Sequence, residues 1–122
     1  MKKIVLIASL FLLGQASFAQ DMNKAAETAI TRTALMTEQL ALDAQQQENV
    51  KNLLTGIEMK LEAVRNEPSF TPEQRAEQIQ MNKEAETHML GNILTEEQME
   101  KHKILTKRSA TQMKESNLKV TN

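Results

Sequence analysis

The segment Leu94-Thr95-Glu96-Glu97-Gln98 constrains this chain more than any other, because it dictates where a helix must begin. Thr95 is placed as an N-cap whose hydroxyl accepts from the backbone N–H of Gln98. The Gln98 side chain can reach back to the N–H of Thr95 and close a capping box. Leu94, just before the cap, can pack on Met99 as a hydrophobic staple, and Glu96 and Glu97 put negative charge at the positive end of the helix dipole. A looser copy, Leu42-Asp43-Ala44-Gln45-Gln46, has Asp43 as cap and Gln46 as its partner, and the two copies start 52 residues apart. Thr71-Pro72-Glu73-Gln74 is a third start of the same design, with proline in its favoured first helical position.

The hydrophobic spacing between these starts is helical. A first helix is predicted from about Asn23 to Leu40, with Met22, Ala26, Ala29, Thr33, Met36 and Leu40 recurring at steps of three and four. The second, about Ala44 to Asn66, carries the cleanest stripe: Val50, Leu53, Leu54, Ile57, Leu61 and Val64. Gly56 interrupts it at about 1 kcal/mol relative to alanine. Glu67-Pro68-Ser69-Phe70 breaks the helix and turns the chain, since proline cannot continue a helix and disfavours helical geometry in the residue before it. A third helix is expected from Pro72 to about Leu90, with no tight apolar stripe and with Gly91 and Asn92 as left-handed terminators. The fourth starts at Thr95 and uses Met99, His102 and Leu105, with Ile104 beside them. No strand-period run appears, so the expectation is an all-α fold of four helices with a long helical hairpin, elongated rather than round.

The chain ends are read separately. Lys2 and Lys3, the apolar run Ile4 to Leu13, and Ser17-Phe18-Ala19 have the pattern of a cleaved secretory leader over residues 1–19. Ten residues are too few to cross a bilayer, which needs roughly 20. A helical domain is expected over residues 20–108. Residues 109–122 are expected to form a polar, basic, disordered tail, because apolar content collapses after Arg108. The charge is uneven: residues 20–98 hold 7 basic and 14 acidic side chains, and residues 99–122 hold 6 and 2. The chain has no cysteine, so no disulfide staples it. Beyond the leader, Phe70 is the only aromatic residue, whereas seven methionines remain.

Few residues suit chemistry. There is no cysteine nucleophile, no glycine-rich phosphate loop and no HExxH pattern, so the expectation is that the chain is not an enzyme and needs no cofactor. A net acidic chain with one aromatic side chain beyond the leader offers no stacking platform for nucleic acid. Met81, His88, Met89, Met99 and His102 lie on two neighbouring predicted helices, and Met with His can hold Cu(I). With no dense His or Met tract, methionines filling gaps and histidines on the surface are the favoured account, and no metal site is expected. Met59 lies off the apolar stripe, and Met81 and Met89 lie on a helix without a clear buried face. With the adjoining Leu61 they form a candidate surface for adaptable apolar contact.

The leader and the two motif copies, with the hairpin between them, resemble the LTxxQ-motif (Spy/CpxP-like) family of small periplasmic all-helical proteins. The likeness spans roughly Thr31 to Arg108, and Asp43 departs from the family's threonine while keeping a capping side chain. It implies a cradle-shaped antiparallel homodimer and an ATP-independent periplasmic chaperone of envelope stress that holds partly folded client proteins. Other members have different roles. The resemblance therefore also admits an adaptor that restrains a membrane sensor kinase, or a copper- or zinc-responsive resistance protein.

Overall fold

Each helix begins where a side chain can satisfy its first free N–H groups. The computed structural model describes residues 22–120, and the expected leader and its cleavage point lie outside them. Four helices make up the described residues, and no strand occurs among them: α1 over 22–40, α2 Ala44–Arg65, α3 Pro72–Ile93 and α4 Glu96–Val120. Among the described residues no helix is long and apolar enough to cross a membrane.

The α1–α2 junction is a left-handed helix ending. Ala41 has φ 53°, and the N–H of Leu42 donates back to the carbonyl of Thr37 at 3.4 Å, the six-to-one bond of a Schellman motif. That turn buries Leu42 and leaves Asp43 free to cap α2. α1 buries Ala25, Ala29, Thr33, Met36 and Leu40, while Met22, expected on the same stripe, is exposed. α2 buries Val50, Leu54, Ile57, Leu61 and Val64. Leu90 of α3 and Leu94 complete a core that clusters at the end where α2 and α4 both start. Leu53, Ile93, Met99 and Leu105 pack against it.

At the other end of the α2–α3 hairpin a single arginine closes the turn. The Arg75 guanidinium donates to the carbonyls of Val64 and Arg65, both at 2.7 Å, of Glu67 at 3.0 Å and of Phe70 at 3.3 Å. The carbonyls of Val64 and Arg65 are among those that the end of α2 leaves short of intrahelical partners, and those of Glu67 and Phe70 belong to the turn. Glu67 also turns inward locally: its carboxylate accepts from the Ser69 hydroxyl and N–H, which holds it below the usual carboxylate range.

Two expectations are corrected. α3 does not stop at Leu90. It runs through Gly91 and Asn92 to Ile93, and no glycine among the described residues has positive φ. Buried Leu90 and Leu94 keep the last turn attached to the core, and the Thr95 cap supplies the stop instead. The segment expected to be disordered from residue 109 is helical as far as Val120. Past Gly91 the chain has neither glycine nor proline, and Lys, Glu, Gln, Met and Leu are good helix formers.

Candidate functional site

The two motif copies meet. Each first does its local work: the Gln46 N–H donates to Asp43 Oδ1 at 2.7 Å and the Asp43 N–H to Gln46 Oε1 at 3.1 Å. Likewise the Gln98 N–H donates to Thr95 Oγ1 at 3.2 Å and the Thr95 N–H to Gln98 Oε1 at 3.0 Å. The two glutamines then join face to face. Gln46 Nε2 donates to Gln98 Oε1 at 2.7 Å, and Gln98 Nε2 donates to Gln46 Oε1 at 3.2 Å.

The remaining donor of each amide crosses to the helix that ends beside the other motif. Gln46 reaches the Ile93 carbonyl at 3.3 Å, and Gln98 reaches the Leu40 carbonyl at 3.2 Å. A primary amide offers two N–H groups and two lone pairs. Both amides use all of theirs, so the pair is a closed brace with nothing left to offer a ligand. Leu42 and Leu94, the first residues of the two copies, are both buried beneath it. The third device stands apart: Thr71 and Gln74 form a complete capping box at the start of α3 and make no such cross-link.

A second polar cluster lies along the helices and was not read from the sequence. Arg32 of α1 pairs with Glu58 of α2 at 2.8 Å and with Glu86 of α3. Burial opposes the charge on Arg32, but its hydrogen bonds and attraction to Glu86 and Glu58 outweigh that and raise its pKa above the ordinary value. Glu62 extends the set, accepting Arg65 at 3.0 Å and facing Lys24 at 3.7 Å. A signal was present: Glu58 and Glu62 stand in phase with Leu54, Ile57 and Leu61 on the buried side of α2. His102 borders this cluster. Burial pushes its imidazole pKa down, Glu86 pulls it up and Arg32 pushes it down, with a net downward shift.

The candidate contact residues divide. Met81 and Met89 are exposed, at 54% and 45%, whereas Met59 is half-buried. Leu61 is only 3% exposed and is corrected from contact residue to core, as its place in the stripe of α2 requires. Ile30 and Leu35 of α1 and Ile104, Met113 and Leu118 of α4 are large apolar side chains also open to solvent. Of the possible metal ligands, His88 and Met89 are exposed and His102 is half-buried. Among the described residues no group of three or more His, Cys, Asp or Glu is arranged to hold an ion.

The arrangement thus joins rigid helix starts to an exposed, apolar-dotted surface. Comparison with protein-family models, curated proteins and solved structures gives no match for this chain.

Proposed function

We propose that the chain is an ATP-independent periplasmic chaperone that holds unfolded or partly folded proteins during envelope stress, acting as a homodimer. The observation that carries this reading is the display of flexible apolar side chains, Met81 and Met89 above all, among charged neighbours on a braced helical frame. Methionine adapts to differently shaped partners because its chain is unbranched and its sulfur polarizable. The charged surroundings favour capture of polar chains before apolar contact forms. The motif resemblance and the expected secretory leader support the compartment and the class of activity.

The test is light scattering by several aggregating client proteins mixed with the chain from Gln20 to Asn122. Stoichiometric amounts should suppress aggregation without nucleotide. The paired substitution Met81→Gln and Met89→Gln should weaken suppression while leaving the unfolding midpoint in place. Unchanged aggregation across all clients refutes the reading, and saturable binding to one partner without general protection would favour a signalling adaptor instead.

A further inference from the structure

The apolar character of one flank of α3 rests on two sulfur atoms. Met81, Ala85 and Met89 recur at steps of four, and the helical period gathers them with His88 and the amides Gln74, Gln78, Asn82 and Asn92 into an arc of about 120°. All six charged residues of α3 fall outside it: Glu73, Glu77 and Glu84 line one edge, Arg75 and Glu86 the other, and Lys83 lies across the helix. The branched hydrocarbon side chains of α3 are committed elsewhere. Leu90 is buried, Ile93 packs against the core and Ile79 is half-buried. Met81 and Met89 are thus the only large apolar side chains of this flank, and both are open to solvent. On α1 and α4, by contrast, Ile30, Leu35, Ile104 and Leu118 supply exposed hydrocarbon. The chain holds no cysteine, so no thiol competes with these thioethers for an oxidant.

We infer that Met81 and Met89 form a reversible oxidation site through which peroxide switches off the contact surface of α3. A thioether lone pair attacks one oxygen of hydrogen peroxide; the S–O bond forms as the O–O bond breaks, and a proton shift releases water. Sulfur loses two electrons and the peroxide gains them. The sulfoxide is polar where the thioether was apolar. Two such conversions leave Ala85 as the one apolar side chain in a flank otherwise made of amides and an imidazole. Exposure admits the oxidant to both sulfurs, and neither belongs to the core, so the frame keeps its fold. Met36, 5% exposed within the core, is shielded. A thiol-driven methionine sulfoxide reductase returns the thioether, with the oxygen leaving as water. The consequence for clients rests on the chaperone reading of α3, whereas the oxidation site does not.

The experiment treats the chain from Gln20 to Asn122 with hydrogen peroxide and follows it by site-resolved mass spectrometry, circular dichroism and suppression of client aggregation. Met81 and Met89 should each gain one oxygen atom well before Met36 does, with the helical signal kept. Suppression should then fall to the level of Met81→Gln with Met89→Gln, and sulfoxide reductase should restore it. Met81→Leu with Met89→Leu should protect clients equally before and after peroxide, which separates the α3 pair from exposed Met22 and Met113. Four results overturn the inference: Met36 oxidised as early as the α3 pair, suppression that survives full conversion of both sulfurs, a leucine variant that loses protection as the unsubstituted chain does, or a loss that the reductase does not reverse. If the untreated chain protects no client, the proposed function falls, and binding of an apolar fluorescent dye replaces the client readout. Dye binding should drop on oxidation in the unsubstituted chain and hold in the leucine variant; an unchanged dye signal overturns the inference.

Discussion

Replacing Gln46 and Gln98 with alanine, singly and together, measures the brace between the two helix starts. Either substitution removes four hydrogen bonds of one amide: its own cap N–H, a carbonyl of the helix ending beside the other motif, and both bonds of the reciprocal pair. A typical intramolecular hydrogen bond contributes about 0.5–1.5 kcal/mol net. The site is part-exposed, so water replaces some of what is lost, and about 2–3 kcal/mol for each single variant follows. The two reciprocal bonds are lost in both single variants but can be lost only once in the double variant. The double variant should therefore fall short of additivity by about 1–2 kcal/mol, the value of those two bonds. Urea unfolding followed by circular dichroism, at one fixed protein concentration because self-association would shift the midpoint, supplies the cycle. Losses that add to within about 0.5 kcal/mol, as at independent sites, would refute the brace.

Arg75→Ala strips the α2 end and the hairpin turn of four carbonyl contacts and should cost about 2–3 kcal/mol in urea unfolding; Arg75→Lys should recover little, since an ammonium cannot span all four. Arg32→Met leaves Glu58 and Glu86, with side chains 8% and 10% exposed, facing each other. Because the Arg32 side chain is one-third exposed and partly screened, the expected loss is about 2–3 kcal/mol rather than the full figure for a buried pair, and an unchanged melting temperature would dismiss the cluster as decoration. Ala41→Gly should raise stability by about 0.5–1 kcal/mol, since a Cβ in left-handed geometry costs about 1–2 kcal/mol and glycine returns part of that through the unfolded chain. Burial lowers the folded pKa of His102 below its unfolded value, so folding stability should decline as pH falls through about 6.5, and His102→Gln should flatten that decline in a series of unfolding curves.

What could be read from the sequence was what is local. Asp43 with Gln46, Thr71 with Gln74, and Thr95 with Gln98 are contacts three residues apart, so the helix starts were written in the spacing. The apolar stripe of α2 was equally plain, because five of its six members are buried. The meeting of Gln46 with Gln98 spans 52 residues, and no periodicity says that two similar capping motifs will share an interface. Buried Glu58 and Glu86 were hidden for the same reason: their burial depends on Arg32 arriving from another helix. Gly91 and Asn92 misled because a residue suited to ending a helix does not end one whose next turn is held in a core. The stretch beyond Arg108 misled because polar composition argues against burial, not against helicity.

The far half of α4 has a thermodynamic standing unlike that of the rest of the chain. Its backbone hydrogen bonds are internal to the helix, and every side chain from Thr106 to Val120 is open to water. Melting those turns uncovers no buried side chain, so the segment adds little to the cooperative unit defined by the core. Amide hydrogens there should exchange through local fraying, while those of Leu54 and Leu90 should wait for global opening. The molecule is therefore a cooperative frame joined to a helix whose order is set by its surroundings. Any surface that gathers those turns stabilises the helix while leaving the folding equilibrium of the frame where it was.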